Sequence, residues 1–73
     1  MENTQLGNRL RVGRAQKDLS QTDLARLVGV TRQTISSIET GQYCPSTLLA
    51  FRLSACLEIK VEELFYLENG EGS

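Results

Sequence analysis

The chain has 73 residues, with eight Lys or Arg against nine Asp or Glu, two Cys and no His. That length holds one small domain, burying about 60% of the unfolded chain's surface. Without His, neither the usual zinc-ligand spacings nor a Cys/His nucleophile can be assembled, and apolar runs no longer than "LLAF" exclude a membrane-spanning helix or a signal-peptide core.

Only helical periods appear along the chain. Leu6, Leu10 and Arg14 with Ala15 recur at i, i+4 and i+8, which predicts a first helix over about residues 5–17 despite Gly7 and Gly13. Ser20 opens a second helix over about 20–28, because "SQTD" places an acid three positions after a Ser cap. Leu24, Ala25 and Val28 form its inner face, and Gly29 supplies the left-handed residue that ends it. Only Val30 separates Gly29 from Thr31, the cap of a third helix over about 31–40, so the two helices join through the short turn of a helix-turn-helix. Gly41 stops the third helix, and Pro45 forbids helix at Cys44. Ser46 caps a fourth helix with Leu49, Leu53, Cys56 and Leu57 as its stripe; "VEELF" forms a short fifth. The expected fold is all-α, a compact five-helix bundle. Residues 1–67 form a single domain and 68–73 a flexible tail.

The third helix, "TRQTISSIETG", carries two large apolar side chains and mild polar chemistry elsewhere. At about 100° per residue, Ile35 and Ile38 share the inner face, while Gln33, Ser37 and Thr40 share the opposite one with Ser36 beside them. Arg32 stands on the first turn, free to swing outward. Gln pairs bidentately with adenine, Arg with guanine, and Ser or Thr with several bases, so this face has the chemistry of base readout. Glu39 falls at the edge of the core, where an unpaired carboxylate is costly. Arg14, on the inner side of the first helix, is its expected partner.

The net charge of −1 conceals a polarity. Residues 1–52 hold seven basic side chains against four acids, a balance of +3, and residues 53–73 hold one against five, a balance of −4. A basic half can attract phosphates while the acidic half keeps the molecule soluble.

"LSQTDLARLVGVTRQTISSIETGQYCPS" resembles the helix-turn-helix of the phage-repressor, or xenobiotic-response-element (XRE), family of regulators. The match rests on Gln21, Ala25, Gly29, Ile35, Ile38 and the closing "IETG…P", and extends from about Leu6 to Phe65. It implies a lambda-repressor-like domain acting as a transcriptional repressor on a pseudo-palindromic double-stranded DNA operator. Arg32, Gln33, Ser36 and Ser37 fall on its base-facing positions. Gln21, Thr31, Thr40, Gln42 and Tyr43 fall on backbone-contacting ones, and Arg14 and Glu39 on its internal ion pair. The chain departs from the family at Ser36 and Ser37, which are short, and in the "QYC" loop, which lacks the usual Lys or Arg. It departs again at Glu58, where a Gly commonly ends the fourth helix, and at Lys60, a poor helix cap.

One such module buries little surface, so a homodimer reading half-sites about 34 Å apart is expected. Leu48, Phe51, Tyr66 and Leu67, apolar residues without an evident place in the core, are its candidate contacts. The alternative is a protein-interaction module, antitoxin-like or a co-regulator, using the same fold. An enzyme is not expected: Glu62 and Glu63 sit in a first helical turn, where the helix dipole accounts for them. Neither metal, cofactor nor small-molecule ligand is implied, and a cytoplasmic location with reduced Cys44 and Cys56 follows from the composition.

Overall fold

The computed structural model describes residues 4–69. In chain order they form β1 (Thr4–Asn8), α1 (Leu10–Gln16), α2 (Gln21–Val28), α3 (Arg32–Glu39), α4 (Thr47–Leu57), α5 (Val61–Leu64) and β2 (Phe65–Asn69).

Local chemistry sets most of these boundaries. Ser20 and Asp23 cap α2 reciprocally: the Ser20 hydroxyl accepts from the Asp23 N–H at 2.9 Å and the Asp23 carboxylate accepts from the Ser20 N–H at 3.0 Å. Gly29 ends α2 at φ 79°. Thr31 accepts from the Thr34 N–H and Ser46 from the Leu49 N–H, so α3 and α4 open with the same device. Glu58 ends α4 in the left-handed region at φ 59°, and its carboxylate pairs with Lys17.

The core gathers one side of every helix. Leu10 of α1, Leu24 of α2, Ile35 of α3, Leu53 of α4 and Leu64 of α5 are wholly buried. Ala25, also buried, has the small side chain that suits the close crossing of α2 and α3. Cys56 is half-buried and Cys44 exposed, both as free thiols.

The fold is mostly helical but not all-α, because β1 and β2 pair as an antiparallel ribbon with Leu6 opposite Leu67 and Asn8 opposite Phe65. The first helix therefore begins at Leu10 rather than near residue 5. Asn8 makes the break: its Oδ1 accepts from the Leu10 N–H at 3.1 Å and its Nδ2 donates to the Ile38 carbonyl at 2.9 Å. Ala15, expected to face inward, is exposed. Gly7 belongs to the ribbon, where a Cβ would lie 2.3 Å from the Tyr66 ring. Glu68 and Asn69, assigned to a tail, pair in β2 with Gln5 and Thr4. The remainder of that segment, 70–73, lies outside the described residues.

Candidate nucleic-acid interface

The turn through Gly29, Val30 and Thr31 folds α3 back across α2, burying Ile35 and Ile38 and turning the other face outward. Arg32 and Gln33 are exposed on that face, with Ser36 and Ser37 half-buried behind them. Gln33 Nε2 donates to Ser37 Oγ at 3.4 Å, a long contact between successive turns that aligns both groups along one line.

Beneath that face lies an ion pair. Arg14 Nε donates to Glu39 Oε2 at 2.6 Å and Nη2 to Oε1 at 3.1 Å, a fork that matches guanidinium to carboxylate. Arg14 Nη1 donates to the Leu19 carbonyl at 3.1 Å, fixing the turn between α1 and α2 as well. The Glu39 side chain is 3% exposed. Burial alone pushes its carboxyl up. The hydrogen bonds from Arg14 and Gln21, with the charges of Arg14 and Arg11, outweigh burial and hold it below the ordinary carboxylate range.

Gln21 extends this network toward the surface. Its Nε2 donates to Glu39 Oε1 at 3.0 Å, and its Oε1 accepts from Arg32 Nη1 at 3.3 Å. Both ends of the amide are thus engaged within the protein. Asn8, the other residue that ties a distant segment to α3, carried no sequence signal, since its two partners are backbone groups.

Thr31, Thr40, Gln42 and Tyr43 are exposed around the two ends of α3. The Thr31 hydroxyl sits within hydrogen-bond distance of Thr34 Oγ1, and that of Thr40 donates back to the carbonyls of Ser36 and Ser37. The four apolar residues expected at a dimer contact divide. Leu48, Phe51 and Leu67 are 60%, 58% and 67% exposed, respectively. Tyr66 has a place in the fold after all: its ring covers Gly7, and the Arg9 guanidinium stacks on it 4.5 Å from the ring centre. Among the described residues no group of His, Cys, Asp and Glu is placed to hold a metal ion, and no helix is long and apolar enough to cross a membrane.

A helix-turn-helix family model matches residues 10–64, from the start of α1 to the end of α5. An HTH-type transcriptional regulator of Methanocaldococcus jannaschii is 45% identical over 64 residues, covering 88% of this chain and 97% of its own. The ImmF control region 10 kDa protein of Bacillus phage phi105 is 31% identical over 75 residues, covering 96% of this chain and 83% of its own. Among solved structures, the restriction-modification controller protein C.AhdI from Aeromonas hydrophila superposes with a TM-score of 0.67 at 36% identity, over 71% of this chain and 79% of that one. The chain belongs to the XRE-type helix-turn-helix family of transcriptional regulators.

Proposed function

We propose that the protein is a repressor-type regulator that binds double-stranded DNA as a homodimer, each subunit laying α3 in a major groove. The carrying observation is the outward face of α3: exposed Arg32 and Gln33 at its N-terminal end, with Ser37 aligned behind Gln33. A recognition helix presents that end to base edges. Arg32, Gln33, Ser36 and Ser37 read bases. Thr31, Thr40, Gln42 and Tyr43 flank the DNA backbone, and Gln21 offers a phosphate the N–H at the start of α2. Exposed Leu48, Phe51 and Leu67 supply apolar surface for the subunit contact. In this reading the regulator works inside the cell, where its operator lies.

Selection of bound sequences from a random duplex pool tests the proposal. The expected product is a pseudo-palindrome with half-site centres about one helical turn apart. No enrichment, together with binding that salt leaves unaffected, would overturn it and favour a protein partner, because phosphate contacts make DNA affinity fall steeply with salt.

A further inference from the structure

The segment that follows α3 makes a poor phosphate clamp. It contains no Lys or Arg between Thr40 and Cys44. Four of its backbone donors are already used: the N–H groups of Gln42 and Tyr43 both donate to the Ser37 carbonyl, at 2.9 and 3.1 Å. Those of Thr40 and Gly41 donate to Ser36 and Ile38, both at 3.1 Å, and the Thr40 hydroxyl is turned back onto the helix end. A phosphate arriving on this flank meets carbonyls and four committed N–H groups, beside the Gln42 and Tyr43 side chains. A duplex backbone carries a charge every few ångströms, so an uncompensated flank weakens binding to every sequence.

A cation stands beside the gap on another element. Arg11 projects from α1 one turn before Arg14 and is exposed. Most of its basic neighbours are committed: Arg9 to the Glu63 carbonyl and the Tyr66 ring, Arg14 to Glu39, Lys17 to Glu58 and Arg32 to Gln21. Among the described residues Arg11 forms no ion pair. It lines a cleft walled by Asn8, Glu39 and Tyr66, and the same three residues wall a second cleft that reaches Thr40 and Gly41. Arg11 thus lies across these shared walls from the end of α3, with Glu68 lining the second cleft. The position is held firmly, since α1 is tied to α3 at Arg14–Glu39 and its first residue, Leu10, donates to Asn8 of β1, which in turn donates to the Ile38 carbonyl.

We infer that Arg11 supplies the phosphate contact on the C-terminal flank of α3, standing in from α1 for a cation the following loop lacks. This rests on the DNA-binding reading above. It adds to that reading a backbone contact from outside the helix-turn-helix, one that carries no base preference.

The test is the salt dependence of binding to a mixed-sequence duplex, followed by fluorescence anisotropy for the wild type, Arg11→Gln, Arg11→Lys and Arg52→Gln. Removing one phosphate contact should lower the slope of log affinity against log salt by about 0.9 per subunit. Arg11→Lys should restore the slope. Arg52→Gln, altered at the cleft between α2 and α4, should leave it unchanged. An Arg11→Gln protein with wild-type melting temperature and wild-type slope would overturn the inference while leaving the DNA-binding reading intact. An equal loss in Arg52→Gln would also overturn it, by reducing the effect to net charge. A wild type whose binding ignores salt would instead overturn the DNA-binding reading itself.

Discussion

Gln21 and Glu39, eighteen residues apart in sequence, meet through one amide hydrogen of Gln21 at 3.0 Å, and this contact decides which way the amide lies. A carboxylate accepts and never donates when ionised, so the Gln21 NH2 must face Glu39 and its carbonyl must face outward, toward Arg32. The buried ion pair thus has a directional line to a side chain on the outward face of α3. Gln21→Ala, which keeps the backbone N–H at the start of α2, should relax preference at the base pair proposed for Arg32. In an Arg32→Ala background that effect should vanish, and a double-mutant cycle on a panel of single-base operator variants measures it.

Arg14 and Glu39 are each other's compensation. Removing either leaves the other charged and largely enclosed, at a cost of roughly 3 to 5 kcal/mol. Arg14→Ala and Glu39→Ala should both lower the melting temperature sharply, as thermal unfolding by circular dichroism would show. Their double variant should be less destabilised than the two losses added together.

Acid should act on the same pair. Against the opposing effect of burial, the hydrogen bonds and charge of Arg14 hold the folded-state value of Glu39 below that of the unfolded chain. Its contribution is therefore complete above the unfolded value and is lost as pH falls through the folded one. Asp23, held low by its hydrogen bonds with Ser20, and Glu58, held low by Lys17, change stability in the same direction. Urea unfolding at a series of pH values from about 6 to 3 should show stability falling with acid, and less steeply in Glu39→Gln than in the wild type.

Gln33→Ala removes the one amide on the outward face of α3. It should cost roughly 1 to 3 kcal/mol on the operator and relax preference at one base pair, with a salt slope like that of the wild type. Unchanged affinity and preference would mean that the helix meets DNA in another register.

In the ribbon, Gly7→Ala drives a methyl into the Tyr66 ring and displaces it from beneath Arg9. The expected loss is about 1 to 3 kcal/mol. In a Tyr66→Ala background the same change should cost little, which separates the clash from glycine's conformational freedom.

What the sequence disclosed follows from the range of the interactions. Ser20, Thr31 and Ser46 cap by reaching three residues ahead, so α2, α3 and α4 were readable from neighbours alone. Glu39 was also readable, because a carboxylate on an apolar face needs a cation, and Arg14 lay on the inner side of α1. The ribbon was not. "TQLGN" and "FYLEN" are too short to show a period, and each becomes a strand only against the other, across most of the chain. Gln21 was placed on the correct helix end, yet its bonds to Glu39 and Arg32 depend on how two helices cross. Tyr66 looked homeless because its place is made by Gly7, a residue whose contribution is the side chain it lacks.

The ribbon also bears on how the protein comes into being during synthesis. Thr4 pairs with Asn69 and Asn8 with Phe65, so β1 can find its mate only after all five helices have been translated. Arg14, Gln21, Arg32 and Glu39 all precede α4, and the crossing of α2 and α3 can begin to form while the ribosome still holds the later segments. The α3 face is drafted early and the fold sealed late. A stalled or truncated product ending before Phe65 would carry the complete α3 face but leave Thr4–Asn8 without its partner strand and Arg9 without Tyr66.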